Sequence, residues 1–176
     1  PLGGSNVLGA AGYVLAMEEC VRQLQDAQIN VDFIVMASSS GGTQAGMVLG
    51  AEVYGFQGQI LGISIDQPEE ELRMQVAALA TATATHLGLD PRPLAENVIV
   101  NDDYLGAGYA QVGEAEREAI QMLARIEGIL LDPVYTGRAF AGLIDLIRWA
   151  AFTRGQTVLC WHTGGAASLH AFATQL

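Results

Sequence analysis

Residues 31–46, VDFIVMASSSGGTQAG, decide how this sequence folds. Residues 31–37 are apolar but for Asp32 and rich in β-branched and aromatic side chains, which predicts a buried strand. Ser38, Ser39, Ser40, Gly41, Gly42 and Thr43 follow as a turn, and residues 42–54 continue with a helical pattern. A strand that turns into a helix in this way points several backbone N–H groups and the helix dipole at one place. Serine and threonine hydroxyls stand beside them, and glycine lets the backbone approach a ligand closely. That arrangement suits a phosphate dianion. Spacing alone leaves an equal alternative, an ordinary turn with a serine N-cap.

Working outward, residues 59–65 (QILGISI) and 157–161 (TVLCW) read as further buried strands. A weaker strand is expected at 97–100 and a short one around 129–131. Helices are predicted over residues 6–27, 42–54, 68–87, 114–126, 136–152 and 165–174. Pro68 followed by Glu69, Glu70 and Glu71 is a well-formed helix start, with acids at the positive end of the dipole. Strands alternating with helices predict an α/β fold with a mainly parallel sheet flanked by helices. Residues 101–113 (NDDYLGAGYAQVG) form the one long glycine-bearing loop. No linker divides the chain, so residues 1–176 are expected to make a single α/β domain.

Nineteen acidic residues against eight basic ones give a net charge of −11, which argues against a nucleic-acid-binding surface. The composition is half hydrophobic with a mean hydropathy of +0.29, as suits a globular interior. No apolar run is long enough to span a bilayer and no signal peptide is recognisable, so no membrane partner is expected and the cytoplasm is the expected compartment. Cys20 and Cys160 lack metal-ligand spacing and read as buried reduced thiols; no metal site is expected. All eight basic residues are arginine, and the chain contains no lysine. The opening Pro1-Leu2-Gly3-Gly4 lacks an initiator methionine and reads like the middle of a longer chain.

Three more motifs carry a plain and a sharper reading. Asp132-Pro133-Val134-Tyr135-Thr136-Gly137-Arg138 reads as a strand-to-helix transition with Thr136 as the cap. His162-Thr163-Gly164-Gly165 ends the last strand and begins a helix, a second phosphate-loop-like pattern, although a lone histidine there is more often a satisfied structural residue than a catalytic base. Residues 3–13 (GGSNVLGAAGY) read as a helix capped by Ser5 or Asn6 and packed closely through its glycines. His86 and His170 sit on helical faces without partners and receive no role. Glu69 to Glu71, Glu114, Glu116 and Glu118 read most simply as solvated helix faces.

Taken in order, these motifs resemble the pyridoxal-phosphate enzymes of the D-cysteine desulfhydrase and 1-aminocyclopropane-1-carboxylate deaminase family, over nearly the whole chain. The resemblance implies the C-terminal, large-domain portion of a fold type II enzyme, with pyridoxal 5'-phosphate as cofactor and a small amino acid as substrate. It implies that Ser38, Ser39, Ser40, Gly41, Gly42 and Thr43 grip the cofactor phosphate, and that Thr163 and Gly164 lie beside the cofactor. Ser39 stands where the family has glycine, so a requirement for positive φ there would strain the loop. The resemblance places Tyr135 against cofactor and substrate as the catalytic-site contact, with Ser5 and Tyr109 near the substrate. It puts Thr136 at the pyridine nitrogen, which favours the desulfhydrase branch over deaminases that carry glutamate there. Arg138 replaces a lysine that is not the Schiff-base residue.

The implied reaction converts D-cysteine to pyruvate, hydrogen sulfide and ammonia, and the implied full-length form is a homodimer. Relatives that open the cyclopropane ring or cleave L-cysteate share these motifs and remain alternatives. Such enzymes hold the cofactor aldehyde on a lysine amine, for which guanidinium cannot substitute. The expectation is therefore a fragment that is inactive alone, its lysine lying in an upstream half. Two non-enzyme readings stand beside it: a shortened homologue that binds a phosphorylated ligand or a partner, and a piece whose exposed edge needs the missing half.

Overall fold

The computed structural model describes residues 2–90 and 94–176; Pro1, where the expected domain begins, and residues 91–93 lie outside the described residues. In chain order the regular elements are α1 (Val7–Ala27), β1 (Phe33–Ser38), α2 (Gly42–Tyr54), β2 (Gln59–Ser64), α3 (Glu69–His86), β3 (Ile99–Asn101), α4 (Glu114–Glu127), α5 (Thr136–Arg148) and β4 (Val158–Cys160). Short 3₁₀ turns occupy Leu2–Gly4, Ala95–Asn97 and Ala166–Phe172.

The four strands form one sheet in the order β3-β2-β1-β4, and every pairing is parallel. Register pairs Ser38 with Ser64 and Val35 with Cys160. The chain thus leaves β1 toward β2 and β3, then returns to lay β4 on the other side of β1. That reversal makes the C-terminal end of β1 the crevice where open α/β sheets hold their ligands.

Side chains alternate across β1 with the period of a strand. Ile34 and Met36 are fully buried beneath α1, α2 and α3, while Val35 faces Ala139 and Leu143 of α5. Helices therefore cover both faces, as a parallel sheet requires. Helices α1 and α2 touch backbone to backbone. A Cβ at Gly46 would lie 2.1 Å from the Ala10 carbonyl oxygen, and one at Gly50 2.6 Å from the Met17 Cβ. Asn6 caps α1, its side chain accepting from the amides of Leu8 and Gly9 at 3.0 Å each.

The structure departs from the expected elements in three places. No strand forms at 129–131: Leu131 is buried, but Ile129 and Leu130 are exposed and no sheet neighbour takes their amides among the described residues. Helix α5 stops at Arg148 and not at residue 152. Ala150 turns left-handed (φ 56°), its amide donates to the Ile147 carbonyl, and that of Ala151 donates to Leu146, which closes the helix end. Residues 166–172 form a 3₁₀ turn in place of an α-helix, with none of its side chains buried to hold a longer one.

Candidate functional site

Helix α2 begins without a side-chain cap. Its N-cap is Gly41 in the left-handed region (φ 76°), so the serine cap of the plain reading is absent. Positive φ falls at Gly41, while Ser39 is not among the positive-φ residues, so serine at position 39 carries no such strain. The amides of Ser39 to Thr43 have no hydrogen-bond partner among the described residues. Beneath them the Ser38 hydroxyl is buried, with 3% of its residue exposed, and has no partner. Buried polar atoms are nearly always paired, so an orphaned hydroxyl beside a fan of free amides marks a binding place. These residues enclose a cavity of about 110 Å³, lined also by Gln44, Tyr135 and Thr163.

The start of α5 lies at the same edge but is built differently. The carboxylate of Asp132, buried inside the turn, accepts from the amides of Val134 (2.9 Å), Tyr135 (2.8 Å) and Thr136 (2.7 Å). The Thr136 hydroxyl donates to the same carboxylate at 2.7 Å and accepts from the Asp132 amide at 2.8 Å. Asp132, not Thr136, therefore caps this helix. Thr136 is buried and outside the cavity lining, its one proton held by Asp132.

Tyr135 faces the cavity and a larger cleft of about 1110 Å³ that adjoins it. Ser5, Ser39, Ser40, Asp66, Gln67 and Tyr109 line that cleft. The Ser5 and Ser40 hydroxyls are 2.6 Å apart, which ties the start of α1 to the glycine loop. A Cβ at Gly42 would lie 2.6 Å from the Ser5 hydroxyl, so glycine there admits Ser5 to the loop. Ser39 donates to Asp66 at 3.1 Å. The Tyr109 and Tyr135 hydroxyls are 2.6 Å apart with the rings edge to face. That hydrogen bond, then burial, pushes the Tyr135 phenol up to about 12, so it stays protonated at ordinary pH.

Gly164 is not in the cavity lining; its amide donates to Nδ1 of His162 at 3.1 Å. The other ring nitrogen, Nε2, lies 3.1 Å from the Leu130 carbonyl, so it carries the proton and the histidine is a satisfied structural residue. Within the His-Thr-Gly-Gly segment it is Thr163 that lines the cavity. Glu116, read from the sequence as solvated, is buried against Arg138. No local pattern joins the two, since they lie on separate helices, α4 and α5. Burial pushes the Cys160 thiol up to about 11, and no metal-holding cluster occurs among the described residues.

Residues 2–164 match the family described as pyridoxal-phosphate dependent enzyme. The chain belongs to that family. It is 41% identical over all 176 residues to the D-cysteine desulfhydrase of Klebsiella pneumoniae subsp. pneumoniae, and 40% identical to that of Klebsiella pneumoniae strain 342. The chain spans about half of the length of these relatives, 52% in each case. A solved structure described as an ACC deaminase homologue superposes with a TM-score of 0.86 at 33% identity, over 99% of this chain and 51% of that one. A threonine deaminase from T.th. shares the fold alone, at 16% identity and a TM-score of 0.52 over 86% of this chain and 56% of that one. The fold is that of the fold type II pyridoxal-phosphate enzymes. No helix among the described residues is long and apolar enough to cross a membrane.

The residues present fit the phosphate end of such a cofactor: free amides, an uncapped helix start and an orphaned hydroxyl converge on one cavity. They do not supply an amine, since the chain has no lysine.

Proposed function

We propose that this chain holds the cofactor and forms part of the substrate wall in a pyridoxal-phosphate-dependent carbon–sulfur lyase acting on D-cysteine. The observation that carries the reading is the bare start of α2 with the orphaned Ser38 hydroxyl, opening onto the cleft that contains Tyr135. The identity to D-cysteine desulfhydrases over the entire chain supports the desulfhydrase branch; the position of Thr136 does not bear on it. The net reaction takes D-cysteine and water to pyruvate, hydrogen sulfide and ammonia, breaking the Cα–H, Cβ–S and Cα–N bonds, with the oxygen of water becoming the ketone oxygen.

In this reading the amides of Ser39 to Thr43 and the Ser38 hydroxyl bind the phosphate and so fix the orientation of the cofactor. Gly41 in the left-handed region keeps those amides convergent. When bound, the cofactor supplies the electron sink for the reacting α-carbon. Tyr135, protonated and hydrogen-bonded to Tyr109, acts in this reading as a wall of the substrate site and not as a base. Ser5 and Tyr109 close the sides of the cleft. A lysine amine for covalent attachment and proton abstraction has to come from outside these 176 residues.

That last point separates binding from turnover. Pyridoxal phosphate added to the purified chain should bind reversibly, compete with inorganic phosphate, and bind more weakly to Ser38→Ala. Borohydride should leave no cofactor on an internal side chain, and D-cysteine should release no sulfide beyond a cofactor-only control. Sulfide release by the purified chain would overturn the assignment of the missing amine. Binding indifferent to phosphate and to Ser38→Ala would overturn the phosphate site itself.

A further inference from the structure

Arg138 lies outside the cavity lining. Arg138, with 1% of its surface exposed, has a partner for each of the five N–H donors of a guanidinium. Its Nε donates to Glu116 Oε1 at 2.8 Å. Nη1 donates to the carbonyls of Ile65 and Leu105, both at 2.9 Å. Nη2 donates to those of Gly108 (3.2 Å) and Gln111 (2.9 Å). Ile65 directly follows β2, whereas Leu105, Gly108 and Gln111 bracket Tyr109 on the loop between β3 and α4.

The near end of that loop is anchored by Tyr104, which donates to Asp145 at 2.9 Å, and by Asp102, which accepts from the Glu69 amide at 2.8 Å; the stretch around Tyr109 has weaker backbone support. Gly106 (φ 59°), Gly108 (φ 118°) and Ala110 (φ 58°) interrupt any regular structure. Its internal backbone hydrogen bonds are long: 3.4 Å from Leu105 to Asp102, 3.2 Å from Gly108 to Leu105, 3.3 Å from Gln111 to Gly108. Arg138 joins this backbone to the sheet edge through one rigid planar group, which the point charge and three donors of lysine cannot do. Glu116 balances the buried charge, and its second oxygen accepts from the Gly113 amide at 2.9 Å, closing the far end of the loop. The result is a Tyr109 hydroxyl held 2.6 Å from that of Tyr135.

We propose that Arg138 is the positioning residue for Tyr109, making the 102–112 loop a preset wall of the cleft and not a lid that closes on a ligand. The clamp concerns the loop and not the occupant of the cleft, so it stands or falls separately from the lyase reading.

Nitrogen-15 NMR of the unaltered chain provides the first test. One of the eight arginines should show slowly exchanging Nη protons with cross-relaxation to residues 105–111. Amide exchange over residues 102–112 should not slow further when pyridoxal phosphate or inorganic phosphate is added. Arg138→Lys keeps the charge opposite Glu116 but loses the fork. It should speed exchange of those amides roughly tenfold or more for each charged hydrogen bond removed, leaving α2 and α3 unchanged. Alkaline titration of that variant should lose the Tyr135 phenol that ionises near 12, identified by comparison with Tyr135→Phe. Tyr109→Phe should move the phenol titration without loosening the loop, separating the contact from the clamp. The proposal is overturned if Arg138→Lys folds with wild-type loop exchange and titration, or if ligand slows loop exchange in the unaltered chain. Should Arg138→Lys not fold, guanidinium protons that all exchange as freely as exposed arginines in the unaltered chain would overturn it equally.

Discussion

Two helices start at the same edge of the sheet, and they treat their N-terminal amides in opposite ways. At α5 the Asp132 carboxylate sits inside the turn and takes the amides of Val134, Tyr135 and Thr136. At α2 nothing among the described residues takes the equivalent groups, glycine stands at the cap, and a buried serine hydroxyl has no partner there. A helix start needs an anion or acceptor, and these two differ only in who provides it. The internal carboxylate makes α5 a finished structural joint that presents Tyr135. Its absence leaves the start of α2 open, as the proposed phosphate site requires.

The comparison breaks most severely at Asp132. Asp132→Ala strands three amides and the Thr136 hydroxyl in a buried place, and should lower stability by roughly 3 kcal/mol or more, read as a shift of the urea midpoint at unchanged slope. Sulfate or phosphate should then recover part of that loss by entering the vacated α5 cap. A variant as stable as the parent would show that the two helix starts are alike after all.

Ser38→Ala sharpens the contrast from the other side. Removing an unpaired buried hydroxyl should leave the free chain as stable as before or slightly more so, while phosphate or pyridoxal phosphate binds more weakly by about 2 kcal/mol. Calorimetric titration beside a denaturation curve gives both signs in one experiment. Gly41→Ala places a Cβ at φ 76° and 2.9 Å from Val76, so stability should fall by about 1–2 kcal/mol and anion affinity with it. Thr43→Ala, at a half-buried hydroxyl beside the loop, should weaken anion binding by about 1 kcal/mol and leave stability unchanged.

The α5 side has its own pH signature. The neutral Tyr135 phenol is favoured in the fold, with its ionisation near 12 against 10 for an ordinary tyrosine. Its contribution is complete below pH 10 and is lost as pH rises through about 12. Tyr135→Phe should flatten that part of the stability curve.

Residues 31–46 were legible because each level of reasoning pointed the same way. A β-branched run, a glycine turn and an apolar helix can only be a strand entering a helix, and β1 and α2 follow that reading closely. The free amides of the loop are a backbone property, so composition at the turn revealed them. The strand expected at 129–131 failed because hydrophobicity shows that a segment prefers burial, not that a neighbouring strand is present to pair with it. The sequence cannot choose between Thr136 and Asp132 as the cap, because a threonine at a helix start and an aspartate four residues earlier are both plausible acceptors. Only the turn geometry selects Asp132.

By itself, the sequence determined the parallel α/β plan, the phosphate-shaped turn after β1, and the lack of any lysine, since these follow from local pattern and composition. Tertiary structure decided the strand order that brings residues 38–43, Tyr135 and Thr163 to one crevice. It also decided that Glu116 is buried, and that Arg138 joins Ile65, Leu105, Gly108 and Gln111 into one joint. A buried arginine needs acceptors for every donor, and whether the fold supplies them depends on segments far apart in the chain. No local pattern carries that information.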